Sequence, residues 1–282
     1  MLTRERGRVG VISYAPSSPE HGYRVRFADG PEETFARADL TIFKHVQGAV
    51  PGGEDPAGLY RYVIYRCVVG STAYGLNQEG SDTDRRGFYL PPAELEWSLA
   101  GVPEQLESEA EEVYWEIEKF IRLALKANPN VLECLYSPLV EVCTPLAQEL
   151  IDLRQIFLSQ HVHRTYNAYV LSQFKKLEQD LRNHGKMRWK HVMHLIRLLL
   201  SGVRVLRDGL VPLRVDEYRE RLLAIRWGEV PWEEVERWRL SLHAELDAAL
   251  GSTRLPADPD YERANAFLIR ARRMAAAPEY GR

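Results

Sequence analysis

The run from Val68 to Leu90 constrains this chain more than any other stretch. A β-branched segment, Tyr62 to Val69, leads into Gly70-Ser71. A short looped or helical passage follows, and a second strand is expected over Arg86 to Leu90. Asp82 and Asp84 stand two residues apart at the entrance to that second strand. Residues i and i+2 of an extended backbone point to one face, so both carboxylates can reach one point in space. Paired hard oxygen ligands suit Mg²⁺, which is commonly held by one or two carboxylates together with substrate phosphates. Gly70 lets the backbone approach a phosphate closely. Ser71 adds a hydroxyl beside free N–H groups at the start of a helix, where anions bind. One segment therefore offers a phosphate cradle and a metal clamp.

Gly70-Ser71 followed by Asp82-Thr83-Asp84 resembles the signature of the DNA-polymerase-β-like nucleotidyltransferase superfamily. Within it, Gly70-Ser71-Thr72-Ala73-Tyr74-Gly75 joined to Ser81-Asp82-Thr83-Asp84-Arg85-Arg86-Gly87 resembles the YcgL-like family of predicted nucleotidyltransferases associated with RNA repair pathways. Two further blocks are similar to that family: Lys119-Phe120 with Ala127 to Tyr136, and, more weakly, Lys190 to Leu199. The resemblance spans roughly residues 60–275. It implies an α+β fold: a minimal polymerase-β-like core (a mixed sheet with helices) followed by a helical bundle.

The composition bounds the alternatives. At 282 residues there is room for two domains, or one domain with an appendage. A hydrophobic share of 45% and a charged share of 27% are ordinary for a soluble globular protein. The net charge of −3 supplies no global reason to expect a nucleic-acid binder, although charge can be patchy. No apolar run approaches the ~18 residues of a membrane span. The N-terminal Met1 to Arg6 lacks the apolar core of a signal peptide. Cys67, Cys134 and Cys143 fit neither a disulfide framework nor a Cys-x-x-Cys metal site, and a cytoplasmic location with reduced thiols is the expectation.

Residues 1–48 have their own logic. Gly7 to Tyr14, Tyr23 to Phe27, Glu33 to Phe35 and Leu40 to Phe43 read as short strands, with a loop over Ala15 to Gly22 and an Asp29-Gly30 turn. This spacing suggests a small SH3-like β-barrel. Residues 49–58, rich in Gly and Pro, read as a linker. The transferase core is assigned to 59–145 and a helical domain to 146–282. Helices are expected over Pro145–Ile156, Ser159–Asn183, Met187–Asp208, Val215–Arg226, Pro231–Leu250 and Asp260–Met274. Glycines close several of them, at Gly185, Gly209, Gly228 and Gly251. The glutamate-rich passage from Glu104 to Glu112 reads as a solvated face.

The superfamily's third strand normally delivers a third carboxylate, and Glu111 to Glu118 stands at its position without an Asp. Glu112 is the first choice, with Glu111 and Glu116 as competitors. Asn128 reads equally as a ligand contact and as the turn former before Pro129, and Lys119 is divided between solvent and a triphosphate. Lys190, His194 and Arg197 share a helical face that either lines the triphosphate side of a cleft or satisfies carboxylates inside the bundle. Arg86 is a candidate to hold the aspartates or a phosphate. His161 and His163 lack a third ligand at suitable spacing and read as structural. Lys175, Lys176, Arg182, Lys186, Arg188 and Lys190 form the most basic cluster, either solvated helix ends or a contact for a nucleic-acid backbone.

The resemblance implies Mg²⁺- or Mn²⁺-dependent transfer of a nucleoside monophosphate from a nucleoside triphosphate to an acceptor hydroxyl, with an RNA end as the expected acceptor. Nucleotidylation of a protein or small molecule, and a non-catalytic nucleotide-binding module, are the alternatives. A membrane partner is not expected.

Overall fold

The computed structural model describes residues 2–3, 10–16, 22–27, 30, 32–36, 39–41, 56–108, 111–185, 187–277 and 280. The chain divides into two compact units, residues 1–54 with 94–102 and residues 55–93 with 103–282.

In the smaller unit, β1 (Leu2–Thr3) pairs antiparallel with β5 (Leu40–Thr41). The strands β2 (Gly10–Tyr14), β3 (Tyr23–Phe27) and β4 (Glu32–Phe35) form an antiparallel sheet in that order. The alternation read in Tyr23 to Phe27 is obeyed: Val25 and Phe27 are buried while Arg24 and Arg26 face out. Phe27 meets Phe35 edge-on at 5.9 Å, and Leu40 joins the same small core. Among the described residues these strands form two separate sheets and no closed barrel. Gly7 to Val9, Asp29, Ile42, Phe43 and the linker up to Asp55 lie outside the described residues.

The larger unit is built on a mixed five-stranded sheet of order β10-β6-β7-β9-β8. Its strands are β6 (Val63–Val68), β7 (Arg85–Tyr89), β8 (Gln105–Ser108), β9 (Glu112–Glu116) and β10 (Val140–Cys143). The hairpin expected between Tyr62 and Leu90 is β6 antiparallel to β7, and β9 joins β7 in parallel. The glutamate-rich passage departs from expectation, because Gln105 to Ser108 forms an edge strand against β9. An edge strand needs only one apolar anchor, here Leu106, and tolerates outward charges. The other edge strand, β10, is mostly exposed and gave a correspondingly weak pattern.

Helices cover one face of the sheet. They are α1 (Gly70–Tyr74), α2 (Ile117–Leu125), α3 (Pro129–Tyr136) and α4 (Pro145–Asp152). Tyr65 stacks on Phe88 at 5.2 Å and Phe88 meets Phe120 of α2 at 4.5 Å, so an aromatic ladder joins sheet to helix. The helical readings beyond Pro145 are matched by α4, α5 (His161–His184), α6 (Trp189–Asp208), α7 (Arg219–Trp227), α8 (Trp232–Ser252) and α9 (Tyr261–Ala275). Left-handed Gly185, Gly209 and Gly228 terminate α5, α6 and α7. Gly251 instead falls within α8, which runs on to Ser252. Within this unit α6 is the most deeply embedded helix, and one apolar core runs from Tyr65 and Phe88 through Leu199 to Leu246. His161 and His163 are structural, reaching Asp258 at 2.8 Å and Asp247 at 2.7 Å. No helix among the described residues is long and apolar enough to cross a membrane.

Gly87 shows how tightly β6 and β7 meet, since a Cβ there would stand 1.9 Å from the Tyr65 carbonyl oxygen. A central strand cannot yield to that clash. Gly87→Ala is expected to lower stability by about 2 kcal/mol or more, as overpacked cores do. Urea unfolding checks this.

Candidate active site

The Gly70-Ser71 turn and the aspartates meet because β6 and β7 are paired. The Val69 amide donates to the Asp84 carbonyl at 2.9 Å, extending the ladder one step past the strands. At that point the chain turns sharply into α1. Gly70 adopts φ +69°, and a Cβ on it would lie 2.2 Å from Asp84 Oδ2. Glycine is therefore required twice, by the backbone conformation and by the carboxylate resting against it. Val69, at the N-cap of α1, provides no side-chain cap for the amides at the head of the helix. Buried Ala73 and Tyr74 anchor the helix.

Arg86 fixes the approach to this corner. Its guanidinium donates to the carbonyls of Glu111 (2.6 Å) and Arg85 (2.8 Å), and it pairs with Asp84 at 3.4 Å. Arg86 thus ties the end of β7 to the residue before β9 and holds a charge beside Asp84. The Asp84 carboxylate borders two hollows. One, of about 480 Å³, is lined by Gly70, Ser71, Arg86, Asn130, Glu133, Lys190 and His194 among others. The other, of about 280 Å³, is lined by Ser71, Asp82, Asp84, Glu111, Lys190 and Arg226 among others. Ser71, Asp84, Lys190 and Arg226 border both, so the hollows are two parts of one cleft. Asp82 is exposed at the mouth and Asp84 half-buried behind it.

The three candidates for the third carboxylate lie in different places. Glu112 borders neither hollow. It sits in register with Arg85 and accepts from the Tyr114 hydroxyl at 3.1 Å, which places it on the other face of the sheet. Glu112 opens β9 and shares a face with Tyr114, as residues i and i+2 of a strand do. Glu111, with φ +57°, borders the hollow that contains Asp82 and Asp84. Glu116 is committed elsewhere. It caps α2 through the Glu118 amide and pairs with Arg272 at 2.7 Å.

Lys119 and Asn128 are not brought to the cleft either. Lys119 pairs with Glu104 at 2.9 Å, and the Asn128 side chain is the N-cap of α3, accepting from the amides of Asn130 and Val131. Asn130 and Glu133 on that helix border the cleft in its place. On α6 the shared face divides between the cleft and the core. Lys190 and His194 border the cleft, while Arg197 is buried and satisfies Glu133 at 2.8 Å. Of the basic cluster, Arg188 and Lys190 reach the cleft, Lys175, Lys176 and Arg182 are exposed, and Lys186 lies outside the described residues.

Beneath the cleft floor lies an ionic group that links three helices. Glu133 of α3 accepts from Arg197 of α6 and from the Tyr74 hydroxyl of α1, and the Arg197 guanidinium lies over the Tyr74 ring at 3.7 Å. Glu133 and Arg197 are each 1% exposed. Burial works against the Arg197 charge, but the Glu133 carboxylate beside it and the Tyr74 oxygen more than offset this and raise its pKa. Burial likewise pushes the Tyr74 hydroxyl far above its ordinary range, so it stays a donor. His194 is driven the other way. Burial, then the charges of Arg197, His191 and Lys190, pull it down to about 3 and keep the imidazole neutral. Helix α7 closes the corner, with Arg219 donating to Gly75 O at 2.9 Å and Arg226 to Leu76 O at 3.2 Å.

Glu133 and Arg197 do have a sequence signal. Each is a lone charge in an apolar run, Val131 to Leu135 and Leu195 to Leu199, and opposite charges so placed ask for one another. Arg226, Asn130 and Met193 carry no local signal.

A strand, a glycine turn into a helix, and an aspartate pair just before the returning strand are the arrangement expected of a polymerase-β-like protein. The sequence model of the RNA repair pathway DNA polymerase beta family (RlaP) matches residues 45–270, and the chain belongs to that family. It is similar to the uncharacterized protein YcgL of Bacillus subtilis (strain 168), with 24% identity over 156 residues, covering 53% of this chain and 58% of that protein. The chain thus spans less than two thirds of that relative. No solved structure matches it.

Removing one member of a buried ion pair strands the other. Arg197→Ala is expected to cost about 3–5 kcal/mol, read by urea unfolding. The buried, neutral His194 has a folded pKa below its unfolded value of 6.5. Its contribution is therefore complete above pH ~6.5 and is lost as the pH falls towards 3. The stability margin of wild type over His194→Leu is expected to narrow by about 1–2 kcal/mol between pH 7 and pH 5, measured by unfolding at each pH.

Proposed function

We propose that this chain is a metal-dependent nucleotidyltransferase that moves a nucleoside monophosphate from a nucleoside triphosphate to an acceptor hydroxyl, with an RNA end as the acceptor, in the cytoplasm. The observation that carries the reading is the Asp84 carboxylate lying against Gly70 at the head of α1, in a cleft shared with Ser71, Asp82 and Glu111. That is where a triphosphate and a divalent cation would have to meet. Among the described residues no three His, Cys, Asp or Glu side chains converge closely enough to form a complete metal cage. The donor set nevertheless fits Mg²⁺ or Mn²⁺, which take one or two carboxylates and fill the remaining positions with substrate phosphates and water. Asp82 and Asp84 would hold the cation, with Glu111 as the third carboxylate instead of Glu112.

In this reading the acceptor oxygen attacks the α-phosphorus, the bond from that phosphorus to the bridging oxygen breaks, and pyrophosphate leaves. The bound cation supplies charge neutralisation and an activated nucleophile. The α1 amides and the Ser71 hydroxyl cradle the β- and γ-phosphates. Lys190, Arg188 and Arg226 at the rim offset their charge. Arg86 holds Asp84 and the Glu111 backbone in place. Exposed Lys175, Lys176 and Arg182 on α5 would follow the RNA backbone, where positive charge supplies affinity without reading sequence. The strands of residues 1–48 are read as an SH3-like barrel, 49–58 as its linker, and 146–282 as a helical domain behind a 59–145 core.

The test supplies each α-labelled nucleoside triphosphate with Mg²⁺ or Mn²⁺ and a pool of cellular RNA. Label is expected to enter RNA with wild type, and Asp84→Ala is expected to lose about a hundredfold or more while keeping its unfolding transition. Near-normal activity in Asp84→Ala refutes the assignment. Label on protein moves the acceptor from RNA to protein, and neutralising Lys175, Lys176 and Arg182 is expected to weaken RNA binding and flatten its salt dependence.

A further inference from the structure

The mouth of the cleft carries a feature that phosphate and metal binding do not use. Among the described residues of the larger unit, Trp227 is the one tryptophan that faces solvent, at 54% exposure. The others are built in: Trp115 meets Phe120, Trp232 meets Phe174, Trp238 meets Tyr218, and Trp189 packs against the core. Trp227 is bracketed by residues tied to the mouth. On one side, Arg226 borders both hollows and donates to Leu76 O at 3.2 Å. On the other, Gly228 lies so close to Trp189 that a Cβ would stand 2.8 Å from the indole Nε1. Arg188 and Lys190, on either side of Trp189, border the larger hollow. The helix end that carries Trp227 is firmly closed, with the Gly228 amide donating to Ile225 O and the Glu229 amide to Ala224 O, both at 2.9 Å.

Resting on the nucleotidyltransferase reading with an RNA acceptor, we propose that Trp227 is a stacking platform for a base beside the terminal hydroxyl of a single-stranded RNA end. An exposed ring set among cations is what an unpaired strand requires, the ring taking a base and the cations its phosphates. Arg188, Lys190 and Arg226 supply the charge next to the indole. Every base has a π-face, so the platform holds an unpaired end without reading its sequence. The closed helix end and the two χ angles of tryptophan leave the ring little freedom to lose on binding.

The experiment titrates the full chain, over a range of salt, into a single-stranded RNA labelled at its 5′ end. The same strand made abasic at the nucleotides next to its 3′ hydroxyl is run beside it. Wild type is expected to bind the intact strand about tenfold more tightly than the abasic one. Trp227→Ala is expected to lose about tenfold on the intact strand and to bind the abasic strand as wild type does. Its unfolding transition and salt slope are expected to stay, because no phosphate contact is removed. Trp227→Phe, which restores a π-face, is expected to recover most of the loss. Wild-type affinity in Trp227→Ala, an equal loss on both strands, or a flattened salt slope overturns the platform and leaves the transferase reading standing. A wild type that binds a nucleoside triphosphate with Mg²⁺ but no RNA overturns the RNA acceptor, and the platform with it.

Discussion

The buried contact among Arg197, Glu133 and Tyr74 is the constraint on which the arrangement of the cleft depends. It joins three helices. Helix α1 carries the glycine turn, α3 carries the Asn130 and Glu133 wall, and α6 carries Lys190 and His194. Removing two charges from water is costly, and the cost is offset only when each charge finds the other at good geometry. The helices can therefore pack in this register or leave a charge stranded. A purely apolar seam would tolerate sliding, whereas this one does not. The seam also has a loose end, because among the described residues Arg197 Nε is buried without a hydrogen-bond partner. Such a polar group beside a ligand cleft gives up stability for fixed orientation.

The same contact sets the electrical character of the site. Arg197 sits under the floor and Lys190, Arg188 and Arg226 sit around the mouth. Burial, then the charges of Arg197, His191 and Lys190, discharge His194, whose pKa falls to about 3. A cleft bordered by Arg188, Lys190 and Arg226 suits an anionic ligand. Near neutral chain charge is no obstacle to this, since potentials in a cleft are set locally.

The sheet contributes positioning of a different kind. A parallel neighbour for β7 brings the start of β9 beside the end of the aspartate loop, and Arg86 locks the two together through backbone carbonyls. Where β9 begins separates Glu111, in the turn at φ +57°, from Glu112, the first residue of the strand. That boundary is a property of the pairing with β7 and β8. Residues 109–110, just before it, lie outside the described residues.

Much was legible from the chain alone. The β6 to β7 hairpin and its glycine turn follow from β-branched runs and from a motif in which no other residue fits, and the helices after Pro145 follow from apolar periodicity and glycine stops. These are local properties, carried by residues within a turn or two of one another. What was not legible is what depends on distant partners. Asn128 and Asn130 are two residues apart in the same block, yet one caps a helix and the other faces the cleft, which depends on how α3 packs. Lys119 found Glu104, just before the edge strand β8, in place of a phosphate. Glu133 and Arg197 announce themselves as buried charges, but that they are each other's partner, 64 positions apart, is fixed only when α3 and α6 meet. Sequence determined the elements and the motif that identifies the family. Tertiary packing decided which polar side chains face the cleft, because a side chain's direction is set by the register and docking of its element against all the others.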